Sequence, residues 1–170
     1  MQDKQLGPPE IVAIASVAVF FVATLLPWFG VSVSNDTSGI LTGVDFGTAN
    51  GWDTGFLWSF VPLLLGAGLL ALLLVPRLSP DTALSDLPPF LPLALGGTAA
   101  FLLFVKLLIG TGVRGVAAAE AFGVNVDVTR KFGLFLAFLA TLGMLTAGIL
   151  AFQRDGGSPP AHGNVPPQPF

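Results

Sequence analysis

Four stretches of about 20 residues, nearly free of charge, leave this chain few folds to choose from. The hydrocarbon core of a bilayer is about 30 Å thick and takes roughly 20 apolar residues in helical form. The stretches run from about Ile11 to Val31, Gly55 to Val75, Pro88 to Ile109 and Phe132 to Phe152, and Lys106 is the one charge inside them. Each is too long for a strand and apolar on all sides, so each reads as a spanning helix. The expected fold is an all-α membrane protein, a bundle of four transmembrane helices. Composition agrees. The chain is 53% hydrophobic and 10% charged, where a soluble domain carries about 25% charge.

The flanks carry the matching punctuation. Residues 1–10 form a short N-terminal segment, residues 11–152 the membrane domain, and residues 153–170 a Gly/Pro-rich tail that reads as disordered. Pro76 and Arg77 close the second stretch, Arg130 and Lys131 precede the fourth, and Gln153-Arg154-Asp155 ends it. Pro88, Pro89 and Pro92 crowd the first turn of the third, where a missing N–H costs least. Pro27 and Pro62 predict mild kinks. The first stretch exceeds a signal peptide's apolar core, and Pro27-Trp28-Phe29 is no small-residue cleavage site, so it reads as an uncleaved helix.

Four spans put both termini on one side. With the termini inside, Lys4, Arg77 and Arg154 lie inside and Arg114, Arg130 and Lys131 outside, so the basic residues tie. Two features favour cytoplasmic termini. The first loop, about Ser32 to Thr54, has no Lys or Arg, and Trp28, Trp52 and Trp58 predict an aromatic belt beneath it.

That loop contains two β-prone runs, Val31 to Ser34 and Ile40 to Phe46, around the turn-rich Asn35 to Gly39, which predicts a hairpin. In the third loop, Val116 to Ala121 predicts a short helix stopped by Gly123, and Val124 to Thr129 alternates as a strand does. Loops one and three share a side, so the expected cap is a three-stranded external sheet. The second loop, Arg77 to Leu87, is short, with its turn at Ser79-Pro80-Asp81.

The inventory of reactive groups is short. The chain has no Cys and one His, His162 in the tail, which excludes disulfides, thiolate chemistry and paired histidine ligands. Seven basic residues and a net charge of −3 give no footprint for nucleic acid. No metal site and no cofactor is expected. Lys106 stands out because a charge inside a span marks a functional site by default. It can snorkel from near the helix end, pair with Asp53 or Glu120, or hold a ligand. Asp53 also reads as an N-cap for the second span. Gly133, Ala137, Ala140, Gly143 and Ala147 stripe one face of the fourth helix, and Gly96 with Ala100 repeats the spacing in the third. Such stripes let helices pack closely, within one bundle, in a homo-oligomer or against a membrane-protein partner.

Leu26-Pro27-Trp28-Phe29, Asn50-Gly51-Trp52-Asp53-Thr54-Gly55-Phe56-Leu57 and Phe132-Gly133-Leu134-Phe135-Leu136-Ala137 resemble segments of small four-span membrane proteins of unassigned function that are common in actinobacteria. The resemblance implies the four-helix layout and brings no activity. The layout is also similar to that of claudins, without the loop disulfide. The functional expectation is a non-enzymatic integral membrane accessory, scaffold or interaction protein of the cell envelope. The alternative is a component that binds or transports a lipid or small hydrophobic ligand in a pocket near Lys106.

Overall fold

The computed structural model describes residues 6–35, 45–79, 87–110, 116–121 and 125–156. Lys4, the turn at 36–39, residues 40–44 of the expected second strand, the loop at 80–86, Arg114, Gly123 and the tail from 157 lie outside the described residues. The elements run α1 (Pro8–Leu25), β1 (Pro27–Asn35), β2 (Asp45–Asn50), a 3₁₀ turn (Trp52–Thr54), α2 (Phe56–Leu78), α3 (Leu91–Ile109), α4 (Val116–Ala121), β3 (Asn125–Arg130) and α5 (Phe132–Gly156). Four of them, α1, α2, α3 and α5, are long and apolar enough to cross a membrane.

Helix α1 begins three residues before the apolar run. Gly7 is its N-cap residue and Pro8 and Pro9 open its first turn, where proline's fixed φ suits a helix and its missing N–H costs nothing. It ends at Leu25, well short of Val31. The cause is Pro27, which disfavours helical geometry in the residue before it. Leu26 is accordingly extended, at φ −80° and ψ 158°. Pro27 therefore kinks no helix; it opens β1.

Strand β1 is the centre of an antiparallel sheet in the order β2-β1-β3. Val31 pairs with Gly47 on one side and with Val128 on the other. The expected three-stranded sheet is present; the described part of β2, Asp45–Asn50, overlaps the expected Ile40–Phe46 run at Asp45 and Phe46, and β3 is described from Asn125 to Arg130. The sheet is fastened to the helix ends through its backbone. Gly51 N–H donates to Thr24 O at 3.0 Å, and Lys131 N–H donates to Trp28 O at 2.8 Å.

Helix α5 packs against α1 and α3, and α2 packs against α3 and α1. Small residues set these contacts. A Cβ on Gly96 would lie 2.5 Å from Met144 O, and one on Gly148 would lie 2.6 Å from Pro92 O, so α3 and α5 touch backbone to backbone. Gly143 meets Ser16 of α1, and Gly133 meets Pro27 O. Ala100, Ala137, Ala140 and Ala147 are buried inside the same bundle. Large apolar side chains face outward elsewhere, among them Phe21, Leu64, Phe101 and Leu139.

Candidate functional site

Charged side chains gather at both ends of the bundle. Under the sheet, Lys106 sits in the last turn of α3, where a cation meets the negative end of the helix dipole. Its side chain is 1% exposed. Nζ lies 5.2 Å from the ring centroid of Phe29 and 5.2 Å from that of Trp58. Phe29 comes from β1 and Trp58 from the first turn of α2, so strand and helix both contribute to the surroundings of the ammonium. The ammonium of Lys106 thus lies near two aromatic rings. An ammonium held over ring faces gains about 0.5–1 kcal/mol when exposed and about 2 or more when desolvated.

Asp53 lies in the 3₁₀ turn and is exposed. Its Oδ2 accepts the Asn50 N–H at 2.9 Å, while Asn50 Oδ1 accepts the N–H groups of Trp52 and Asp53 at 2.8 and 3.2 Å. It does not cap α2. Gly55, at φ +106°, is the N-cap residue and no side chain bonds there. Glu120 is exposed on α4. Gly51 O gathers the hydroxyls of Thr54 and Ser59 beneath this turn. Trp28, expected in an interfacial belt, is fully buried, and its Nε1–H donates to Ala23 O at 2.7 Å. A strand that turns back over the bundle carries its aromatic residue inward; Trp52, by contrast, remains exposed.

The opposite end holds a cluster that charge counting did not single out. Glu10 is fully buried in the first turn of α1. Its Oε1 lies 3.0 Å from Arg77 Nη2 and 2.6 Å from Arg154 Nη1. Arg77 is in the last turn of α2 and Arg154 in the last turn of α5. Acid at a helix start and base at helix ends each complement the dipole. Glu10 Oε2 has no hydrogen-bond partner among the described residues. Arg77 and Arg154 also line a cavity of about 290 Å³ between the ends of α2, α3 and α5, walled by leucine and proline. Topology was the available signal: the start of span one and the ends of spans two and four must lie on one side.

Among the described residues, no group of three or more His, Asp or Glu side chains could hold a metal. The defined class is therefore a four-helix bundle of membrane-spanning length with a three-stranded sheet over one end. No family model, curated protein or solved structure matches the chain.

Proposed function

We propose that the chain is a multi-pass integral protein of the cell membrane, with both termini cytoplasmic. Its role is that of a non-enzymatic accessory, scaffold or interaction component of the cell envelope. The observation that carries this reading is the division of its surface. Outward helix faces present Phe101 and Leu139, each 64% exposed, and Leu64, 54% exposed. Inside the bundle Glu10 and Lys106 are engaged by other side chains. Apolar surface turned outward is stable against lipid and costly in water. Buried charges spent on joining helices support a structural role more than a chemical one.

The cap supports an interaction role. Strands β2 and β3 are the edges of the sheet, and a strand edge offers a row of N–H and C=O groups to an incoming chain. The small-residue faces favour one bundle over an open oligomeric seam, since Gly96, Gly143 and Gly148 all meet residues of this same chain. The ligand-binding alternative at Lys106 draws less support, because Phe29 and Trp58 flank its ammonium.

Carbonate washing and C-terminal reporter fusions test insertion and orientation. The expected result is a carbonate-resistant chain with a cytoplasmic C-terminus. Gentle solubilisation followed by native mass spectrometry tests the role. A stable complex with another envelope protein is expected; a lone monomer under all mild detergents counts against the role.

A further inference from the structure

Of the three tryptophans, the fold turns two inward. Trp28 is fully buried, with its indole N–H donated to Ala23 O, and Trp58 is half-buried beside Lys106. Trp52 is 38% exposed, and Phe56 and Leu57 at the start of α2 are exposed as well. We infer that Trp52 and Phe56 form an anchor that inserts among the headgroups and first methylenes of the lipid leaflet on the sheet's side. The inference rests on the membrane reading above, because its partner is the bilayer interface itself.

The turn that carries Trp52 is tightly framed. Asn50 Oδ1 accepts the N–H groups of Trp52 and Asp53, and Asp53 Oδ2 accepts the Asn50 N–H. Gly51 O accepts the hydroxyls of Thr54 and Ser59. This frame presents the indole at one place, so little freedom is left to lose when it meets lipid. Gly55, at φ +106°, lets the chain swing from the turn into α2. Phe56 then stacks on Phe60 one turn further on, with ring centroids 4.4 Å apart. Exposed Asp53 follows exposed Trp52, so an apolar ring and a charged group meet in one turn. An indole itself joins an apolar face to an N–H, and tryptophan concentrates at membrane interfaces for that reason.

The backbone fixes the height of this turn. Gly51 N–H donates to Thr24 O at 3.0 Å, which ties the residue before Trp52 to the last turn of α1. The turn therefore sits level with the end of a helix of membrane-spanning length. The exposed apolar residues of the helices give the same height. At 1.5 Å per residue, exposed Phe56 and Leu78 stand about 33 Å apart along α2, and exposed Phe132 and Phe152 about 30 Å apart along α5. The hydrocarbon core of a bilayer is about 30 Å thick. Phe56 thus falls at one boundary of that core, with Trp52 and Asp53 beside it at headgroup depth.

The cysteine-free sequence allows a single nitroxide label at each of three positions, through Trp52→Cys, Phe101→Cys or Asp127→Cys. Phe101 is exposed midway along α3, and Asp127 is exposed on β3. The full chain is reconstituted in vesicles of phosphatidylcholine and phosphatidylglycerol. Power-saturation EPR then compares access of oxygen, which dissolves in lipid, with access of a nickel chelate, which stays in water. The label at position 101 should favour oxygen, that at 127 the chelate, and that at 52 should lie between them. A label at 52 as open to the chelate as the label at 127 overturns the anchor. One shielded from both reagents assigns the turn to a protein contact and overturns it too. A label at 101 that favours the chelate defeats the membrane reading instead, so the two failures are distinct. The native indole gives a second readout. Lipids brominated near the glycerol end of the acyl chain should quench wild-type fluorescence, and Trp52→Phe should lose most of that quenching. Equal quenching of the two chains overturns the anchor.

Discussion

Glu10 Oε1 accepts a hydrogen bond from Arg154 Nη1 at 2.6 Å, joining the first turn of α1 to the last turn of α5 across 144 positions of sequence. Arg77 reaches the same oxygen from α2 at 3.0 Å. One carboxylate thus ties three helices at the end of the bundle that the sheet does not cover.

Removing that carboxylate should loosen this end. Breaking a buried ion pair costs about 3–5 kcal/mol, but Arg77 and Arg154 are 38% and 42% exposed, and water takes up part of the loss. Glu10→Ala is expected to cost about 2 kcal/mol, with Glu10→Gln losing less because an amide oxygen still accepts. Thermal unfolding in detergent checks the order: wild type, then Gln, then Ala. An Ala variant as stable as wild type would show that the cluster holds nothing together.

The contact between α3 and α5 can be tested with two adjacent glycines. A Cβ on Gly96 would lie 2.5 Å from Met144 O, whereas one on Gly97 would meet only Leu145 Cδ1, at 3.9 Å. Gly96→Ala must push two backbones apart and should cost about 1–3 kcal/mol. Gly97→Ala gains helix propensity, worth up to about 1 kcal/mol, and should be neutral or stabilising. Paired Tm measurements decide it, and equal effects at both positions would contradict this packing.

Parts of the architecture were legible and parts were not, for definite reasons. Helices α2, α3 and α5 follow from long apolar runs with Lys106 as their one charge, although α2 continues through Pro76 and Arg77 to Leu78 and α3 starts at Leu91, past Pro88-Pro89. The end of α1 does not, because apolar character continues through Trp28 and Phe29 while the backbone changes state at Leu26. Only the steric effect of Pro27 separates helix from strand there. Strand β2 carries Asp45, Gly47, Thr48 and Asn50, poor strand formers for the most part, and its conformation comes from pairing with β1. Context overrides propensity at such positions. Glu10 lies in the short N-terminal segment before the first apolar run; topology brings its helix end to the side of Arg77 and Arg154, but their convergence on one oxygen belongs to tertiary structure.

Lys106 offers a test of electrostatics in the bundle. Aromatic faces attract cations and repel anions, and Nζ lies 5.2 Å from two ring centroids. Lys106→Met keeps the length and volume of the side chain. It should shift stability by no more than about 1–2 kcal/mol, since lost attraction is offset by lost desolvation. Lys106→Glu sets a carboxylate against both rings and should destabilise by several times that amount. Unfolding followed by Trp fluorescence separates the variants. A Glu variant as stable as the Met variant would mean that the ring faces exert no influence on this group.

The cap makes a covalent prediction, and the cysteine-free sequence makes it clean. In the β1–β3 ladder Val31 stands opposite Val128, and Gly30 opposite Thr129. Directly opposed residues of an antiparallel pair have Cα atoms about 4.5–5.5 Å apart, within the roughly 4.4–6.8 Å that a disulfide spans. Val31→Cys with Val128→Cys should cross-link readily under mild oxidation. Val31→Cys with Thr129→Cys should not, because successive side chains point to opposite faces of the sheet. Proteolysis between α2 and α3 followed by non-reducing electrophoresis reads the result, since a bond between positions 31 and 128 holds the two fragments together. Efficient cross-linking of the second pair but not the first would move β3 by one residue. That shift would turn Val126 and Val128, both half-buried, onto the opposite face, where Asp127 and Thr129 now stand exposed.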